Sequence, residues 1–162
     1  MKQQSVVVET VFLRAVVVLI GVGALTFLLW EPHFEGRNAN ATAFEVYFND
    51  PFLAYAYFVS ISFFVALYQA FKVLGYAGTN RLFSVATVKA LRTIRFCALA
   101  MIAFVLVGEA FLMLPNADEL PPAIAMGLFI LFGSTVVVTT TSVLEKTLQQ
   151  ALSKDAEKTS TT

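Results

Sequence analysis

Four apolar runs of about twenty residues dominate this chain: Val11–Trp30, Phe52–Phe71, Phe96–Leu114 and Ala123–Leu144. A helix rises about 1.5 Å per residue, so each run can cross the roughly 30 Å hydrocarbon core of a bilayer. A chain that is 58% hydrophobic with a mean hydropathy of +0.75 has lipid as its solvent, which excludes a soluble domain. The expected fold is all-α: a four-helix transmembrane bundle forming one domain over residues 1–162, with a polar C-terminal tail over about 145–162. Lys2, Glu9 and Arg14 precede the first run and no small-residue cleavage pattern follows it, so it is expected to be retained as a span.

Charge orients the runs. Lys2 and Arg14 precede span one, Lys72, Arg81, Lys89, Arg92 and Arg95 lie between spans two and three, and Lys146, Lys154 and Lys158 follow span four. Only Arg37 falls on the other side, where Glu31, Glu35, Glu45, Asp50, Asp118 and Glu119 gather. Excess Lys and Arg stay in the cytoplasm, so both termini are expected there. Trp30, Tyr47 and Phe48, with Pro51, Pro115, Pro121 and Pro122, suit the outer boundary. Arg14 lies one turn inside its run, where its stem can follow lipid while the guanidinium reaches the headgroups.

The inner connection carries more than a turn. Gly75, Gly78, Thr79 and Asn80 suggest a flexible loop, after which Ser84 can cap a helix from Val85 to Arg95 that leads into span three. Leu82, Val85, Val88, Leu91 and Ile94 recur in steps of three beside a basic stripe of Lys89, Arg92 and Arg95. A short amphipathic basic helix is therefore expected between spans two and three. Arg81, Lys89, Arg92 and Arg95 are its candidate contact residues, either for anionic lipid headgroups or for an acidic patch on a cytoplasmic protein. After Leu144 the helix is expected to emerge for a turn or two before a disordered Ser/Thr-rich end.

Few residues could carry chemistry. Glu109 is the one acid inside a span, roughly 20 Å along span three from Phe96. An intramembrane carboxyl is costly and marks a candidate functional acid, against the alternative of a hydrated mouth position paired with Arg37 or His33. His33 is the sole histidine and Cys97 the sole cysteine, which leaves no His or Cys cluster for a metal or a disulfide; no metal site and no cofactor are expected. Ser62, Ala66 and Ala70 form a small-residue stripe, as do Ala123 with Gly127 and Gly21 with Gly23, all suited to close helix approach. Ser134, Thr135, Thr139, Thr140, Thr141 and Ser142 can return their hydroxyls to carbonyls one turn back, or line a hydrated path. No nucleophile, base and orienting group occur together, so the chain is not expected to be an enzyme.

The stretch Glu35-Gly36-Arg37-Asn38-Ala39-Asn40-Ala41-Thr42, followed by Tyr47-Phe48-Asn49-Asp50-Pro51-Phe52-Leu53-Ala54-Tyr55 and by Phe83-Ser84 through Val88-Lys89-Ala90-Leu91-Arg92, resembles a bacterial family of small four-span membrane proteins, a domain of unknown function numbered twenty-nine seventy-five. The similarity runs from span one to the end of span four. It implies a prokaryotic inner-membrane protein and transfers no catalytic residue. Members are often encoded beside a small helix-turn-helix regulator of the Cro/repressor type, which implies by analogy a cytoplasmic partner of that kind and no direct contact with nucleic acid. The leading expectation is a non-enzymatic membrane sensor or regulator, in contact with membrane lipid and acting through a cytoplasmic partner. The alternative is a channel or small transporter component with Glu109 on its path.

Overall fold

The computed structural model describes backbone residues 2–30, 51–112 and 120–160, with side chains over 7–30, 54–110 and 124–158. They form four helices: α1 (Lys2–Trp30), α2 (Pro51–Gly78), α3 (Val85–Leu112) and α4 (Leu120–Ser160). Each is long and apolar enough to span a membrane. Phe129, Phe132, Leu19 and Phe12 are all more than two-thirds exposed, as side chains solvated by lipid would be. The outer-loop residues His33, Arg37, Glu31, Glu35, Glu45, Asp50, Asp118 and Glu119 lie outside the described residues.

The helices run alternately up and down, and extensive packing joins only sequence neighbours: α1 with α2, α2 with α3, and α3 with α4. The start of α1 and the end of α4 therefore lie at the same, Lys/Arg-rich end. The seam between α1 and α2 is antiparallel at four levels. Thr10 faces Gly78, Arg14 faces Gly75, Gly21 faces Leu67, and the Tyr57 hydroxyl donates to the Leu28 carbonyl at 3.1 Å. Three of these levels need a glycine. Lipid is as apolar as leucine, so helices gain by close backbone approach and not by withdrawal from water. Between α2 and α3, Tyr55 lies against Gly108 and donates its hydroxyl to the Phe104 carbonyl, while Phe58 meets the Phe104 ring edge to face, 5.4 Å between centroids.

All four helices overrun their apolar runs at the basic end. α2 stops at a Schellman motif, with Arg81 N–H donating to the Tyr76 carbonyl at 2.8 Å and Asn80 N–H to that of Ala77 at 3.3 Å. Asn80 occupies the left-handed region with φ 55°, which asparagine tolerates better than most residues. Gly75 and Gly78, expected in a loop, are instead in the last turn and a half of α2. Ser84 caps α3 as expected: its Oγ accepts from Thr87 N–H at 3.3 Å. Thr87 is wholly buried, with its hydroxyl 3.0 Å from Ser84 Oγ and donating to the Arg81 carbonyl at 3.3 Å, which closes the connection on itself.

As expected, Val85–Arg95 runs straight into span three: it forms the first three turns of α3 without a break at Phe96, so the basic segment is part of that helix and not a separate short one. Nor does most of its apolar stripe lie on lipid, although Val85 is exposed. Val88, Leu91 and Ile94 form a buried cluster with Leu148 of α4, against Ala66, Ala70 and Val73 of α2 and Leu152 of α4. The small residues Ala66 and Ala70 thus make the close-approach surface expected of them. α4 continues through Ser160, about four turns past Leu144, where one or two were expected. Leu148 and Leu152 explain why: the extension has α3 to pack on, and an apolar stripe with a partner sustains a helix that its polar composition alone would not.

Gly23 has no heavy atom near a would-be β-carbon, whereas one at Gly78 would stand 2.8 Å from Thr10 Oγ1. Gly23→Ala should leave stability unchanged or raise it by up to about 1 kcal/mol through helix propensity. Gly78→Ala should lower it by about 1–3 kcal/mol through overpacking. Thermal melting of both variants in detergent micelles checks this; equal midpoints would refute the α1–α2 register.

Candidate functional site

The α3–α4 seam holds an ionic cluster. Glu145, 4% exposed, projects from α4 into the seam. Its Oε1 accepts from Arg92 Nε at 2.9 Å, and Arg95 Nη1 lies 3.0 Å from its Oε2. The Arg95 contact is Coulombic and off the hydrogen-bond axis, so Oε2 is left without a hydrogen-bond donor. Gln149, one turn further along α4, donates from Nε2 to Oε1 at 3.4 Å. Arg92 and Arg95 can share one carboxylate because a spacing of three places them on the same face of α3.

The cluster lies among Leu91, Ile94 and Leu148, level with Ala66 and Ala70 of α2. Arg14 meets α2 at Gly75, roughly a turn and a half nearer the basic end. The three charges are therefore set deeper than Arg14. At such a depth an ion pair is screened little, and losing one partner leaves a charge uncompensated. Two guanidinium groups against one carboxylate leave a net positive charge, and it faces outward through Arg92, whose side chain is 51% exposed.

The four basic candidates thus divide into two pairs. Arg92 and Arg95 hold α4 to α3, whereas Arg81 and Lys89 are exposed. Glu145, the residue on which the cluster turns, was read in the sequence only as the start of a polar tail. The available signal was hairpin symmetry. Glu145 follows the end of span four immediately and Arg95 immediately precedes span three, so antiparallel packing brings them to one level.

Glu109 faces α4 and not a lipid surface. Its Oε1 and Cδ press on the backbone of Gly127, where any side chain would collide with them. Oε2 is buried without a hydrogen-bond partner among the described residues. The candidate acid and the candidate small-residue position are thus two sides of one contact.

The hydroxyls of α4 divide by face. Ser134 and Thr141 are buried, while Thr135 and Thr139 point outward and donate to the Leu131 and Thr135 carbonyls at 2.8 and 2.9 Å. Thr141 and Ser142 also donate back one turn, to the Val137 and Val138 carbonyls. Thr135, Thr139, Thr141 and Ser142 thus satisfy themselves within the helix, as the sequence suggested.

A family model described as "Protein of unknown function (DUF2975)" matches residues 6–161. The chain is similar to the uncharacterized membrane protein YoaS of Bacillus subtilis (strain 168), with 34% identity over 151 residues that cover 92% of this chain and 94% of the relative. No solved structure matches.

Removing Glu145 should leave two cations unpaired in the seam. Glu145→Gln should cost about 3 kcal/mol, toward the low end for a broken buried pair because Arg92 is half exposed. The triple change Arg92→Leu, Arg95→Leu, Glu145→Leu should recover most of that loss, since apolar replacements spare the desolvation. Unfolding in mixed micelles measures both. A Glu145→Gln variant as stable as the parent would show that the cluster does not hold the helices.

Proposed function

The chain belongs to the family described as Protein of unknown function (DUF2975), and from that premise we propose that it is a non-enzymatic membrane regulator whose basic end faces the cytoplasm and there engages a protein partner. One observation carries this reading. α4 is 41 residues long, about 60 Å, twice what a bilayer core requires. Its surplus stands at the basic end, tied to α3 by the Arg92–Glu145–Arg95 cluster and by Leu148 and Leu152. A helix needed only to cross lipid gains nothing from such an anchored extension. One that must hold a surface in register with the bundle does.

The docking surface is best assigned to Arg81 and Lys89, whose charges are not taken up by Glu145, together with the exposed polar face of α4 beyond Lys146. Arg92 and Arg95 then act on docking through position, by holding α4 against α3. A small helix-turn-helix regulator is the partner that the family resemblance nominates, and an acidic patch is what this surface would recognise. Placement of both termini in the cytoplasm rests on the distribution of Lys and Arg.

A second reading has its own observation. The Glu109 carboxyl lies in the α3–α4 seam with an oxygen lacking a partner among the described residues, on the helix whose buried face also carries Ser134 and Thr141. In a channel or transporter component that carboxyl would bind the passing cation or proton. Flux into proteoliposomes that Glu109→Gln abolishes would establish it, and absence of flux under any imposed gradient would remove it.

For the regulator, the protein and its Arg81→Glu, Lys89→Glu variant are purified from native membranes and their bound proteins compared quantitatively. The parent should retain a small cytoplasmic protein that the variant holds about tenfold less, equivalent to about 1.4 kcal/mol. Identical sets of bound proteins would sink the docking surface.

A further inference from the structure

Arg14 is the cation that the fold has built in without an anion. It projects from α1 onto α2, with its guanidinium 4.6 Å from the Phe71 ring centroid and against the backbone of Gly75, a position that only glycine leaves open. Its Nε is buried and has no hydrogen-bond acceptor, and no carboxylate among the described residues pairs with it. The expectation that this side chain runs out along lipid is therefore corrected: it turns inward across the α1–α2 seam. The physical reason is the pair of attractions α2 offers, an aromatic face for the cation and a bare backbone that admits it.

The ring face and the glycine recess position the guanidinium but do not neutralise it. A buried donor left unsatisfied is costly, as is a cation at membrane depth without a counter-charge. The basic group of α2 itself, Lys72, follows Phe71 directly and has its Nζ 5.5 Å from the Tyr68 ring centroid. Arg14 in the seam and Lys72 on the neighbouring exposed side of α2 thus both stand at the basic end of an apolar run, which is headgroup depth. The anion most abundant at that depth is the phosphodiester of a phospholipid, and the planar guanidinium fork matches phosphate oxygens in pairs.

We infer that Arg14, supported by Lys72, forms a site for the phosphate of an anionic phospholipid at the α1–α2 seam, with Phe71 and Gly75 holding the guanidinium in place. The site is distinct from the Arg92–Glu145–Arg95 cluster, which carries its own anion, and from the exposed charges assigned to a protein partner. Its hallmark is dependence on geometry as well as on charge. Gly75→Ala retains every cation but puts a methyl group where the guanidinium rests, whereas Lys154→Gln removes an exposed cation of the same end without touching the seam.

The test is native mass spectrometry of the full chain released from micelles containing phosphatidylglycerol, with phosphatidylcholine and inorganic phosphate as separate arms. The parent should retain phosphatidylglycerol in preference to phosphatidylcholine, and excess inorganic phosphate should not displace it. Retention should fall about tenfold in Arg14→Gln, and by a similar factor in Gly75→Ala, should fall less in Lys72→Gln, and should stay unchanged in Lys154→Gln. Equal loss in Arg14→Gln and Lys154→Gln would reduce the site to general electrostatic attraction and overturn the proposal. Displacement by inorganic phosphate would overturn the lipid as the ligand. Should Arg14→Gln fail to fold, Gly75→Ala and Lys72→Gln decide: retention at the parental level in both would equally end it.

Discussion

The pairing of α3 with α4 depends on one carboxylate between two guanidinium groups. Four apolar helices in lipid have little to choose among partners, because burying leucine against leucine gains almost nothing over burying it against acyl chains. What selects a partner and a register is an interaction that lipid cannot supply. Glu145 supplies it for α3 and α4: its two oxygens, 2.9 and 3.0 Å from Arg92 and Arg95, fix both the rotation of α4 and its height along α3. The apolar contacts of Val88, Leu91, Ile94 and Leu148 then fall into place around it. Without the ion cluster those side chains would have several nearly equivalent alignments.

Between α1 and α2 the selecting interaction is of another kind. Gly21, Gly75 and Gly78 receive Leu67, Arg14 and Thr10 respectively. These contacts specify register by shape, since a one-residue slip would turn the glycines away from the groups they admit. Shape and charge meet at Arg14, where a glycine seats a cation, and again at Glu109, where Gly127 seats a carboxylate. In both places the backbone is bare because the incoming group is polar and needs the room.

The sequence displays the spans, their number and their charge asymmetry directly, because each is set by local composition. Ser84 as a helix cap and Ala66 with Ala70 as a close-approach surface are local signals too. Not every helix end is. α3 begins at Val85, where its Ser84 cap predicts, but α4 runs to Ser160 because Leu148 and Leu152 find α3; a stretch whose helicity depends on a partner looks in isolation like a loop or a tail. The candidate site shows the same division. Arg92 and Arg95 could be recognised as a basic stripe, but the count of cations that orients the chain is blind to which of them an acid fifty residues away will neutralise. Glu145 opens a polar stretch, and composition alone does not show that its side chain turns into the seam while Lys146 stays exposed.

These constraints divide the molecule mechanically. α3 and α4 are joined by charge and by a buried cluster, with α2 packed on that cluster through Ala66, Ala70 and Val73. α1 is joined extensively to α2 alone, by glycine seats, the Arg14–Phe71 contact and a side-chain hydrogen bond from Tyr57. An open series of this kind is stiff at one edge and weakly tethered at the other. A change in the height or tilt of α1 disturbs the glycine seats and the Arg14–Phe71 contact but separates no side-chain ion pair among the described residues. The same displacement of α4 would separate Glu145 from its two cations and is resisted. The extensive contacts of α1 are with α2, and the levels at which α2 touches the buried cluster are those just above Gly75 and Gly78. The inner end of α2 is therefore where the compliant helix and the rigid pair are mechanically joined.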